Sequence, residues 1–187
     1  MKILITGNKN SGLAAELYKF YPDAFFASRY TGFDLTLQSA QNKLAEMITE
    51  YDVFINSSAL WKFNQTVLLD SIYKACVNAN HSIHIINVGS TTDRVKNGKP
   101  WLYNAEKKAL RDYSNTLGIA GVWDKGPKVS YVSFGTLSNN QLKHPSRRTM
   151  NIKAAAEYIQ WVLSQPRHIN INELSIDPMQ DEGWYNE

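Results

Sequence analysis

Short apolar runs alternate with longer amphipathic stretches along most of this chain, and that alternation limits the fold more than any single motif. Residues 2–6, 24–28, 52–56, 82–88, 128–134 and 169–176 read as strands. Between them, residues 11–20, 37–51, 63–78, 101–120 and 152–163 carry helical spacing, with Leu37, Ala40, Leu44, Met47 and Ile48 on one stripe of the second. Tyr21-Pro22-Asp23 ends the first helix, because proline lacks an amide hydrogen and clashes with the preceding turn. Strand-helix-strand units of this length join parallel strands through crossovers. The predicted architecture is therefore a doubly wound α/β domain: a parallel sheet of six to seven strands with helices on both faces. At 187 residues and 43% hydrophobic content, the whole chain reads as one domain with a sizeable core.

Charge and composition narrow the partners. The net charge of +3 comes from scattered lysines rather than a basic run, which argues against a nucleic-acid partner. No run approaches the roughly 20 apolar residues of a membrane span. The N-terminal Met1-Lys-Ile-Leu-Ile-Thr6 enters a strand without the apolar segment of a signal peptide, so a cytoplasmic location is expected. Cys76 is the only cysteine, which excludes an internal disulfide, and no metal site is expected because His81, His84, His144 and His168 stand apart from other ligand types. The tail from Asp177 to Glu187 is acidic and reads as irregular.

Chemistry concentrates after the strand that ends in Asn87-Val-Gly-Ser90. A polar loop follows, and then a helix bearing Tyr103 and Lys107 at i and i+4, on one face. A hydroxyl, a phenol and an ammonium can meet at one point there. An ammonium beside the phenol favours phenolate, so Tyr103 is expected to titrate closer to neutrality and to serve as an acid or base. Ser90 would hold the substrate oxygen. A Tyr-x-x-x-Lys pair alone is equally a helix-surface pair, so its neighbours decide the matter.

Those neighbours lie at strand ends, where ligands bind in a doubly wound sheet. The first strand runs into Thr6-Gly7-Asn8-Lys9-Asn10-Ser11-Gly12-Leu13-Ala14, a glycine-bearing turn that opens a helix and could cradle a pyrophosphate on its amides. The second strand ends at Ser28-Arg29. An acidic residue at that point would grip a ribose 2′-hydroxyl, whereas Arg29 can pair with a 2′-phosphate, assisted by Lys9. Both favour NADP(H) over NAD(H).

Taken together these residues resemble the short-chain dehydrogenase/reductase family, from Lys2 to about Ser138 and more weakly to Pro178. Thr6-Gly7 with Gly12, Asp34-Leu35, Asn56-Ser57-Ser58-Ala59, Asn87 to Ser90, Tyr103 to Lys107 and Phe134-Gly135 occur in the family's order, and Ser90 precedes Tyr103 by the family's usual separation. The resemblance implies a short, Rossmann-like, NADP(H)-dependent oxidoreductase that interconverts a carbonyl and an alcohol. Tyr103 would be the general acid or base, Lys107 would tune it and hold the nicotinamide ribose, Ser90 would orient the carbonyl, and Asn64 would hold a relay water. Gly7 to Leu13, Arg29, Asp34, Leu35, Asn56 to Ala59, Tyr103, Lys107, Phe134, Gly135 and Leu137 would line the cofactor. A homodimer or homotetramer acting on a small molecule is implied as well.

This chain also departs from the family pattern. Its glycine turn is one residue longer, Ala14 stands where a glycine is usual, and Phe134 replaces a proline. Between Arg29 and Asp34 there is no room for the usual helix, so the family's third strand is expected to be vestigial. A non-catalytic NAD(P)-binding regulatory module of the same fold is the alternative that these departures leave open.

Overall fold

A computed structural model describes residues 1–94, 101–124 and 126–179 of the chain. The loop before Trp101 and the end of the acidic tail, both singled out in the sequence, fall partly outside these residues. Six strands, β1 (Ile3–Thr6), β2 (Phe25–Ala27), β3 (Val53–Asn56), β4 (His84–Ser90), β5 (Lys128–Phe134) and β6 (Glu173–Ile176), alternate with five helices. These are α1 (Gly12–Phe20), α2 (Gln38–Glu46), α3 (Asn64–Asn78), α4 (Leu102–Asp124) and α5 (Ile152–Leu163).

The strands form one sheet in the order β2-β1-β3-β4-β5-β6, and every pair is parallel. Successive side chains of a strand point to opposite faces, and both faces are apolar here, as a sheet covered on both sides requires. Leu4, Phe54, Ile85, Val129 and Tyr131 pack on one side with Leu44 of α2, Leu68 and Ile72 of α3 and Leu110 of α4. Ile5, Ile55, Ile86 and Val132 pack on the other with Leu17 of α1 and Ala155, Ile159 and Val162 of α5. That α5 stripe recurs at helical spacing and is fully buried. Each large aliphatic side chain so placed contributes about 1.5–3 kcal/mol.

The sheet has six strands, and the chain between β2 and α2 contains no further strand. Ser28 opens a single 3-10 turn, Arg29–Thr31, in which its backbone amide donates to Thr31 Oγ1 at 2.9 Å. Gly32 closes the turn at φ 84°, a left-handed conformation that suits glycine. The long connection from β5 to α5 carries another 3-10 segment, Ser138–Lys143. Among the described residues no helix is long and apolar enough to cross a membrane. Nor, among them, does any group of three His, Cys, Asp or Glu side chains stand close enough to hold a metal ion. Cys76 is buried in α3, and burial pushes its thiol pKa up to about 12.

Candidate active site

The strand order reverses at β1, with β2 on one side of it and β3 on the other. A crevice opens at the carboxyl ends of such a pair. Here it is shaped by a glycine turn. Gly7 has φ 135°, and a Cβ on it would lie 2.9 Å from the Ala14 Cβ, so the turn and α1 are in close contact. The extra residue of the turn is absorbed by Asn8, whose side-chain oxygen accepts from the Asn10 amide at 3.0 Å. Ser11 leads into α1 without capping it by its side chain, and no acidic residue occupies the first turn. The first amides of α1 therefore lack a side-chain acceptor, the arrangement that favours an anion. Ser57 Oγ donates to the Thr6 carbonyl and the Ser58 amide donates to Thr6 Oγ1 at 3.0 Å, tying β3 to β1 beside the turn.

A cavity of about 1100 Å³ begins at this turn, where Gly7, Asn8, Ser11, Gly12 and Leu13 border it. Lys9 and Asn10 do not; the Lys9 ammonium sits 5.3 Å from the centroid of the Tyr18 ring instead. Ser57 and Ala59 after β3 and Phe134, Gly135 and Leu137 after β5 form further parts of the wall. Asn56 is fully buried beneath it.

On the other side of the turn lies a smaller cleft of about 340 Å³, bordered by Arg29, Asp34, Leu35, Ser58 and Ala59. The Arg29 guanidinium is exposed and pairs with Asp34, Nε to Oδ2 at 3.2 Å. Hydrogen bonds from Thr36, side chain first and then backbone, hold the Asp34 carboxyl below its usual range, with Arg29 adding to them. The residues expected around an adenosine ribose are therefore together, with the arginine already facing a carboxylate.

At the far side of the large cavity Ser90, Tyr103 and Lys107 converge, Ser90 as the last residue of β4 and the other two on the first turns of α4. The Tyr103 phenol pairs with the Ser90 side chain. Burial nevertheless raises the phenol's pKa above its ordinary value, against the lowering by Ser90 and with a further push from Glu106. The phenolate-favouring role expected for Lys107 is thus not realised in this geometry. The reason lies in where its ammonium points. Lys107 is 4% exposed, its Nζ donates to Gln65 Oε1 at 2.5 Å, and it lies 5.5 Å from the centroid of the Tyr103 ring. Burial lowers the Lys107 pKa to about 8, opposed by the carboxylates of Glu106 and Asp93.

Gln65 is the residue the sequence did not flag. Its Nε2 donates to the carbonyls of Asn56 at 2.8 Å and Val88 at 3.0 Å, which leaves Oε1 for the lysine. Asn56 Nδ2 in turn donates to the Gln65 carbonyl and to Asn87 Oδ1, and Asn87 Nδ2 to Ser114 Oγ. A buried polar ladder therefore joins α3, β3, β4 and α4 just under the cavity. Asn64, expected to hold a relay water, is not brought to the trio. Its Nδ2 donates to the Trp61 carbonyl at 2.7 Å, and its Oδ1 accepts from Gln41. A signal for Gln65 does exist in the sequence: it is the one polar member of the stripe Gln65, Leu68, Leu69, Ile72, Cys76 on α3.

Two further buried groups support Ser90 from below. The Tyr131 hydroxyl donates to Asp93 Oδ2 at 2.9 Å and accepts from the Ser90 amide at 3.4 Å. Its ring fills the space over Gly89, where a Cβ would come within 1.9 Å of the hydroxyl oxygen. Asp93 is 3% exposed, and burial raises its pKa, with the Tyr131 hydrogen bond acting in the opposite sense. Trp61 and Trp101 flank Tyr103, with ring centroids 5.2 and 5.1 Å from it, and both border the cavity.

The chain has the fold of short-chain dehydrogenases/reductases. It superposes on a serine dehydrogenase from Escherichia coli with a TM-score of 0.72 and 16% identity, over 94% of this chain and 97% of the other. A short chain dehydrogenase from Burkholderia cenocepacia, solved in complex with NADP, gives a TM-score of 0.74 and 15% identity over 95% and 88% of the two chains. By sequence the chain is 26% identical, over 96% of its length, to a Staphylococcus aureus (strain N315) protein named as an uncharacterized oxidoreductase, 77% of which is covered. No family model matches the sequence.

Proposed function

We propose that the protein is an NADP(H)-dependent oxidoreductase that interconverts a carbonyl and an alcohol, with Tyr103 as the proton donor in reduction. One observation carries the reading: the Ser90, Tyr103 and Lys107 side chains meet on the same cavity that begins at the glycine turn. The oxidoreductase names of the relatives agree with it, and NADP in the Burkholderia neighbour leans toward the phosphorylated cofactor. The residues fit such a cofactor. Gly7 and the uncapped first turn of α1 suit its pyrophosphate, the Arg29 cleft suits its adenosine half, and Lys107 lies within the part of the cavity left for the nicotinamide ribose.

When bound, the nicotinamide supplies or accepts the hydride. The chain supplies proton transfer and orientation. Ser90 Oγ holds the carbonyl oxygen beside the Tyr103 hydroxyl, so that oxygen is polarised and placed at the donor. A phenol whose pKa is raised is protonated at neutral pH, the state required of an acid in the reduction direction. The Tyr103 phenolate left by that transfer is reprotonated from solvent between turnovers, and the Lys107 ammonium, which Gln65 holds in place, would hold the nicotinamide ribose.

Titration with NADPH and NADH, followed by fluorescence and melting temperature, tests the cofactor half on wild type and Arg29→Ala. NADPH is expected to raise the melting temperature and to lose its advantage over NADH in the variant. Carbonyl turnover that disappears in Tyr103→Phe while NADPH still binds tests the chemistry. If neither nucleotide binds, the reading fails.

A further inference from the structure

The substrate half of the large cavity is distinguished by its charge. Arg94, Lys143, His144, Arg147 and Arg148 all border it, whereas Asp177 is the one carboxylate on its described wall. Asp177 is already engaged, with Oδ2 2.7 Å from Arg94 Nη2. Arg148 donates to the Met179 carbonyl, which satisfies a hydrogen bond and leaves the charge unmatched. Among the described residues no carboxylate lies within 4.0 Å of Lys143, Arg147 or Arg148. All three side chains are exposed, where an anion can reach them.

Arg94 and Arg148 are placed by their contacts at the end of β6. The segment that carries Lys143, Arg147 and Arg148 starts over the glycine turn, where Asn139 Nδ2 lies 3.6 Å from the position of a Cβ on Gly12. The segment returns to its start, where Leu137 bridges Met150, and Arg148 near that return reaches the end of β6. There Arg94 and Arg148 grip Asp177 and Met179 on either side of Pro178, and Pro178 packs against Gly135, 2.5 Å from where a Cβ on Gly135 would be. Gly135 follows the β5 residue that pairs with Ser90. Arg94 and Arg148 are thereby placed near the strand ends that carry Ser90, and Lys143 and Arg147 border the same cavity. Trp61, Tyr103 and Trp101 add an aromatic stretch to the wall of the same cavity.

We propose that the substrate is a carboxylate-bearing carbonyl compound with a planar apolar body, its body on the Trp61–Tyr103–Trp101 wall and its carboxylate on Lys143, Arg147 and Arg148. This rests on the oxidoreductase reading and names its substrate class. Guanidinium groups recognise carboxylates through paired, charge-assisted hydrogen bonds, and an aromatic wall next to the carbonyl favours a flat acyl group. No metal is needed to hold the anion.

The test uses two non-reacting probes of one shape, benzoate and benzamide, titrated calorimetrically into the full chain with and without NADPH. Wild type is expected to bind benzoate about tenfold more tightly than benzamide, an advantage that falls with added salt. Lys143→Ala/Arg147→Ala removes two exposed side chains, so it is expected to fold normally, to lose the benzoate preference and to bind NADPH within about twofold of wild type. Lys153→Ala, which deletes a charge on α5 outside the cavity wall, keeps the preference. Equal binding of the two probes by wild type overturns the proposal. So does a double variant that loses NADPH affinity as much as benzoate affinity, because the cations would then serve the cofactor phosphates. Absence of nucleotide binding by wild type sinks the oxidoreductase reading by itself, and the probe comparison on the unloaded protein still decides the subsite.

Discussion

Lys107 Nζ and Gln65 Oε1 lie 2.5 Å apart inside the protein, and the amide's other end is fixed by two backbone carbonyls. The lysine's direction is therefore set by α3 and the sheet, not by Tyr103. Gln65→Leu is expected to destabilise the fold by about 1–3 kcal/mol, because a buried ammonium loses its acceptor. It also lowers the Lys107 pKa further, whereas Gln65→Glu raises it. Urea denaturation measures the first effect; the basic limb of a pH–rate profile, displaced in opposite directions by the two variants, measures the second.

Lys107 itself leaves a signature in stability. Its pKa is about 8 in the folded protein and 10.5 in the open chain, so between these values the unfolded state binds more protons and raising the pH favours folding. Below pH 8 both states are protonated and the effect is flat. The stability of wild type minus that of Lys107→Met should climb by about 3 kcal/mol across the window and not change below it. A difference that is constant across the window would mean that the lysine is not buried as described.

His84 acts at the other end of the scale. Its Nε2 meets Ser130 Oγ at 2.9 Å, and burial, helped by Lys128, lowers its pKa to about 3. The group is neutral when folded and charges on unfolding as the pH falls below 6.5, so stability is lost as the solution is acidified through the range from 6.5 to 3. About 2 kcal/mol should disappear between pH 7 and 5. Guanidinium melts at the two values, compared with His84→Gln, check it; the variant should lose much less.

Gly89→Ala tests the support beneath Ser90. The new methyl would overlap the Tyr131 ring and hydroxyl, so the ring must move and the bond to Asp93 must break. A loss of about 1–3 kcal/mol follows from overpacking, together with a drop in kcat from the displaced Ser90. Gly32→Ala serves as a comparison, since no atom lies within 4 Å of its added methyl and only backbone strain is felt. Thermal melts of both variants separate collision from strain.

Much of this molecule could be read before it was seen, and the limits of that reading have physical causes. β5 and α5 begin and end where apolar periodicity places them, because each buries a full face against the sheet. The absent strand after Arg29 was visible as a shortage of residues. Ser90, Tyr103 and Lys107 were found by spacing, since a strand end and one helix turn fix their relative positions. Gln65 was missed because its role comes from a contact across 42 residues, whereas Asn64 attracted attention by position alone. The direction of the Tyr103 pKa was misjudged for a related reason: burial and the aim of the Lys107 ammonium belong to packing, and spacing does not determine either. The cations from Lys143 to Arg148 look like a solvated loop until the fold sets them on the wall of the same cavity as Arg94 and Asp177.

The turn that replaces a strand after β2 stands on its own contacts. Arg29, Asp34 and Leu35 sit on one short stretch held by its own hydrogen bonds, among them Thr31 Oγ1 to the carbonyls of Phe26 and Ser28 and Thr36 to Asp34. The trio that would perform the chemistry stands on β4 and α4, on the other side of β1 and β3. Under the proposed function, coenzyme choice and chemistry rest on separate segments, and exchanging residues 28–36 for another turn is expected to retune one without touching the other.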